Sequence, residues 1–155
     1  MAVIAQSWHA RGALRGGGLV ATVMSNLGLE HALKAEGIAF LRAAVGDRYV
    51  LAMLRENGGV LGGETSGHLL CLDRTTTGDG LVSALQVLAA MKQTGRPLAE
   101  LTAGMARFPQ VMVNVRVKER IDPAKSPAIQ AAVHRVEASL GDARSVVLQA
   151  SGTEP

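Results

Sequence analysis

The chain has 155 residues, 48% of them hydrophobic and 19% charged, with a formal net charge of +3, which suits one ordinary globular domain or two small ones. The 16 basic residues are scattered and aromatics make up only 3%, so neither a nucleic-acid surface nor a base-stacking platform is expected. No apolar run approaches the length of a membrane span, and the N-terminus carries no basic leader.

In chain order, residues 1 to about 13 read as a helix that begins without a capping residue, as if the chain starts inside it, and Gly12 and Gly16-Gly17-Gly18 break it. Leu19 to Met24 is β-branched and predicts a strand. Ser25 and Asn26 are caps for a helix over Leu27–Glu36, with Gly37 as its stop. A second strand is predicted over Ile38–Val45, a helix from Gly46-Asp47 to about Glu56, and a third strand at Val60-Leu61. His68 to Asp73 reads as another strand, within which the single cysteine, Cys71, has the surroundings of a small buried hydrophobe in a reducing cytoplasm. Thr77 and Asp79 then cap a long helix, Leu81 to about Gln93, whose Leu81, Ala84, Leu85, Leu88 and Met91 share one face. A short helix follows, with Pro97 at its first position, ending near Gly104.

The grammar then changes. Val111, Val113, Val115 and Val117 alternate with polar or flexible residues, the period of a half-buried strand, after a boundary near Arg107 to Pro109. Ser126-Pro127 opens a helix to Leu140, in which His134 and Arg135 form a solvated face, and Arg144–Gln149 reads as a strand. These closing elements bury too little surface to stand alone, so the second unit reads as incomplete.

Alternating strands and helices predict an α/β domain built on a parallel sheet, in which ligands gather in loops beyond the carboxyl ends of the strands. The loop Gly62-Gly63-Glu64-Thr65-Ser66-Gly67-His68 occupies such a place. It sets a carboxylate, a hydroxyl and an imidazole between glycines that permit sharp turns and close approach. A polar turn between strands satisfies the same spacing, and the residues alone leave the two readings open. Ser151-Gly152-Thr153-Glu154-Pro155 offers backbone amides and two hydroxyls, a nest for a phosphate.

Taken together, Thr22-Val23-Met24-Ser25-Asn26-Leu27-Gly28-Leu29, Val45-Gly46-Asp47-Arg48-Tyr49-Val50, Gly63-Glu64-Thr65-Ser66-Gly67-His68 and Asp73-Arg74-Thr75-Thr76-Thr77-Gly78-Asp79-Gly80 resemble the phosphohexomutases. Phe108-Pro109-Gln110, Val113-Asn114-Val115 and the terminal Ser-Gly-Thr-Glu-Pro complete a resemblance that runs along nearly the whole chain, and the Thr-Thr-Thr-Gly-Asp-Gly run points to the bacterial branch that handles an amino sugar.

The resemblance implies a four-domain enzyme. Residues 1–106 would be its third, sugar-binding α/β domain, and residues 107–155 the incomplete start of its fourth, a small phosphate-binding α+β domain. Glu64 and Ser66 would bind sugar hydroxyls with His68 beside them, which suits an acceptor carboxylate and a hydroxyl that both accepts and donates. Ser151, Gly152 and Thr153 would hold the non-reacting phosphate, and Arg48 is a further phosphate or sugar contact. Where the family's phosphate loop opens with arginine this chain has Gln149, which lacks the charged fork. The family's reacting phosphoserine and the aspartate loop that binds its cofactor, Mg2+, belong to the first and second domains and are not in this chain, which is therefore expected to be inactive alone. The implied reaction interconverts glucosamine 6-phosphate and glucosamine 1-phosphate through a phosphoserine and a bisphosphate intermediate. The implied setting is cytoplasmic, with a small-molecule sugar phosphate as partner and a homodimer left open. A sister mutase of glucose or mannose phosphates and a non-catalytic phosphosugar-binding fragment are the alternatives.

Overall fold

A computed structural model of the chain describes residues 1–117, 119, 121–140 and 146–148. Contacts divide the protein into two units, Met1–Phe108 and Pro109–Pro155.

The first unit runs α1 (Ala2–Ala10), β1 (Gly18–Thr22), α2 (Leu27–Ala35), β2 (Ala39–Ala43), α3 (Asp47–Glu56), β3 (Leu61–Gly63), β4 (Leu69–Cys71), α4 (Gly80–Thr94) and α5 (Leu98–Thr102). The sheet order is β2-β1-β3-β4. β1 pairs parallel with β2 and β3, whereas β4 runs antiparallel to β3. The α/β class and the parallel sheet expected from the alternation are found, with the difference that the edge strand β4 makes the sheet mixed. The reason is length: residues 64–68 alone join β3 to β4, and a parallel return needs a crossover of a dozen residues or more, so the chain turns back as a hairpin.

The middle of the sheet is buried on both faces. β1 is the clearest case, because all five of its residues are buried, as a central parallel strand requires. Leu19 and Leu61 join Trp8 and Ile4 of α1 and Leu29 and Leu33 of α2 in one cluster, onto which Val82 and Val87 of α4 also pack. Val20 and Leu70 turn the other way, toward Val50 and Leu54 of α3. The result is three layers, with α3 alone on its side among the described elements.

Helix starts follow the capping residues. The Asn26 Oδ1 accepts from the Gly28 amide at 3.0 Å, and the Asp79 Oδ1 accepts from the Val82 amide at 2.9 Å. Asn26 also holds the end of the unit. Its Nδ2 donates to the Phe108 carbonyl at 2.8 Å, and the Phe108 amide donates back to Oδ1 at 3.0 Å. Gly28 makes room for this exit segment, since a Cβ there would run into the Ala106 carbonyl.

α4 presents a different face from the one the apolar spacing singles out. Leu81, Leu85 and Leu88 are 79%, 60% and 56% exposed, while Ser83 and Ala90 are the buried positions. The helix is apolar nearly all round, so spacing alone does not choose its inward side.

In the second unit, the described residues form a short 3₁₀ turn at Pro123–Lys125 and α6 over Pro127–Leu140, where His134 and Arg135 are exposed. The strand expected over Val111–Val117 is corrected: the segment is irregular, with Val111, Val113 and Val115 each about three-quarters exposed or more. Alternation makes a strand only where a neighbour completes its ladder, and none pairs with it among the described residues. Residues 146–148 are irregular too, and the rest of the strand expected over Arg144–Gln149 lies outside the described residues.

Candidate functional site

The carboxyl ends of β2 and β3 lie on the same edge of the sheet, because both strands run parallel to β1. The loops that follow them meet there. After β3, the Glu64 carbonyl accepts from the Gly67 amide at 3.1 Å, and the Glu64 amide donates to the His68 carbonyl at 3.0 Å. A tight turn over residues 64–67 results, and Gly67 takes φ +95° in it, a conformation that other residues rarely adopt. Glu64 and His68 face each other across the neck of this turn, with Ser66 exposed at its tip.

The Glu64 side chain reaches the other loop. Its Oε1 accepts from the Gly46 amide at 2.9 Å, which fixes the residue that opens α3. Gly46 has φ +122° there, and its carbonyl accepts from the amides of Tyr49 and Val50. From the same helix start, the Asp47 Oδ2 stands 3.6 Å from the His68 Nε2. Gly78, paired with Leu70 in an isolated antiparallel bridge, lies against the imidazole so closely that a Cβ there would overlap its Nε2 and Cε1.

Of the residues picked out from the sequence, Glu64, Ser66 and His68 therefore share one turn, and Glu64 is tied to the start of the helix that carries Arg48. Arg48 itself is exposed; its guanidinium stacks over the Tyr49 ring at 4.5 Å and donates to the Tyr49 hydroxyl at 2.7 Å. Ser151, Gly152 and Thr153, like Gln149, lie outside the described residues. The sequence reading passed over two residues. Asp47 is read there as a helix opener and as part of a resembling motif with no role of its own, and Arg42 not at all. Arg42 donates to the Glu30 carboxylate at 2.8 and 3.1 Å and to the carbonyls of Val23 and Ser25, so it braces the β1–α2 loop on the same edge. A lone arginine in an apolar strand was the only signal for it.

Chemically, the cluster offers a second carboxylate oxygen on Glu64, a hydroxyl on Ser66 and an imidazole, all on a turn fixed by backbone hydrogen bonds. Such a set suits a small molecule rich in hydroxyls. Among the described residues no three of His, Cys, Asp and Glu come together as a metal site.

In α/β domains ligands bind in loops beyond the carboxyl ends of the strands, and the turn over residues 64–67 occupies that place here. The chain belongs to the phosphoglucomutase/phosphomannomutase family, whose α/β/α domain III matches residues 1–108. It is 56% identical over 153 residues to the phosphoglucosamine mutase of Methylococcus capsulatus, covering 99% of this chain and 34% of that protein. It is likewise 58% identical over 158 residues to that of Thioalkalivibrio sulfidiphilus, covering 100% and 35%, and 57% identical over 153 residues to that of Halorhodospira halophila, covering 99% and 33%. The chain thus spans about a third of the length of the curated relatives it matches.

Proposed function

We propose that this chain is the sugar-binding part of a phosphoglucosamine mutase, a cytoplasmic enzyme that interconverts glucosamine 6-phosphate and glucosamine 1-phosphate in amino-sugar synthesis. What carries the reading is that likeness to phosphoglucosamine mutases extends along the whole chain, including the turn in which Glu64, Ser66 and His68 are gathered. In such a reaction a phosphoserine gives its phosphoryl group to one end of the sugar, the bisphosphate reorients, and the enzyme takes a phosphoryl group back from the other end. Catalysis of this kind rests on positioning and charge stabilisation.

Glu64 and Ser66 would grip the sugar hydroxyls in both orientations, Ser151, Gly152 and Thr153 the non-reacting phosphate, and Arg48 a phosphate or hydroxyl at the rim. Mg2+ and the phosphoserine would be supplied by parts of the parent enzyme other than these residues, and the parent would work as a homodimer. The test is made in the parent enzyme with glucosamine 6-phosphate. Glu64→Gln keeps an acceptor for the Gly46 amide but removes the charge, and should lower kcat/KM roughly ten- to a hundredfold, as loss of a charged hydrogen bond does. Ser66→Ala should lower it about tenfold. Near-normal kinetics in both variants would refute the assignment.

A further inference from the structure

The chemistry assigned to His68 depends on which ring nitrogen carries its proton, and the neighbours of the imidazole bear on that. The Nε2 is enclosed by the protein and makes no hydrogen bond within 3.5 Å. The Asp47 carboxylate faces it at 3.6 Å, while the backbone of Gly78 backs the ring, where any side chain would collide with Nε2 and Cε1. Asp47 is in turn carried at the start of α3, whose opening residue Gly46 is bonded to Glu64. One carboxylate, one imidazole and one glycine from three separate loops therefore converge.

We propose that Asp47 is the positioning residue for His68: its carboxylate keeps the ring proton on Nε2 and the ring against Gly78, so that Nδ1 is left as the acceptor toward a sugar hydroxyl. A carboxylate that faces one ring nitrogen favours the N–H there by charge–dipole attraction even without a hydrogen bond, and so leaves the other nitrogen as the acceptor. Asp47 is itself mostly exposed, with 60% of its side chain accessible, so its removal leaves the core untouched. The role toward sugar rests on the mutase reading; the tautomer does not.

Two measurements test it. In the 155-residue chain, ring nitrogen shifts of His68 should show the Nε2–H form in the unaltered protein, a mixture of both forms in Asp47→Ala, and the Nε2–H form again in Asp47→Asn, whose amide oxygen still turns a partial negative charge toward the ring. An Nδ1–H ring at the outset, or an Asp47→Ala spectrum identical to the parent's, overturns the proposal. In the parent enzyme, Asp47→Ala should lower kcat/KM for glucosamine 6-phosphate up to about tenfold, the size of effect that weakening one hydrogen bond to a substrate produces, and Asp47→Asn should restore most of it. Placed on a His68→Gln background, Asp47→Ala should have no further effect. Fully additive losses would mean that Asp47 acts elsewhere and would sink the idea. A parent enzyme that processes another sugar phosphate and ignores glucosamine 6-phosphate would overturn the proposed function while the ring spectra still decide the role of Asp47.

Discussion

Glu64 commits one carboxylate oxygen to the Gly46 amide, which leaves Oε2 for a ligand. From the sequence, Glu64 is legible as a ligand candidate because it sits among glycines after an apolar run. Its bond to Gly46 is not, since the two residues are brought together only by the order of β2, β1 and β3. The same holds for Asp47 and His68, which lie in different loops and share no local pattern. Cys71 illustrates the opposite case. Its apolar neighbours mark it as buried, and it is 1% exposed. Burial, with the Asp73 carboxylate adding to it, pushes the thiol above its ordinary value near 9.0. The thiol is therefore protonated in the folded state at a pH where the unfolded chain would ionise. Its contribution to stability is complete below the ordinary thiol value and is lost as pH climbs through the raised one. Urea midpoints measured from pH 7 to 10 should fall more steeply above about pH 9 in the unaltered protein than in Cys71→Ala; parallel curves would show that Cys71 does not contribute.

Strands and helices through Thr102 are legible because their apolar runs are short, bounded by glycine, and preceded by good caps such as Asn26 and Asp79. Two features of single elements are not. The direction of β4 depends on the length of the link before it rather than on its own residues. The inward side of α4 depends on what α1 and β4 leave open, because both of its faces are apolar. This has a measurable consequence: Leu85, 60% exposed, and Leu54, fully buried against α3's side of the sheet, look alike in sequence. Leu54→Ala should cost about 2–5 kcal/mol, whereas Leu85→Ser should change stability by no more than about 0.5 kcal/mol. Chemical denaturation of both variants separates them, and a large loss from Leu85→Ser would mean that the exposed face of α4 is packed in solution.

At the scale of the whole chain, the alternation that marks the first unit as α/β ends where the pattern of valines begins, and the change of grammar is legible while the conformation beyond it is not. Val111–Val117 has the alternation of a strand, but alternation records which side would be buried and not whether a partner is present. The way Asn26 grips Phe108 also decides where the protein can be cut. A protease needs several residues of extended, unattached chain in its cleft. Arg116 lies in an irregular, exposed stretch. The peptide after Arg107 has its amide bonded to Asn26, and just before it the chain passes over Gly28 without room for a methyl group. Brief trypsin treatment should therefore cleave after Arg116 well before it cleaves after Arg107, and Asn26→Ala should open the second bond to attack. The surviving piece would keep its last residues as part of the domain, so a shortened form meant to retain the turn over residues 64–67 is best ended beyond Phe108 rather than at Arg107.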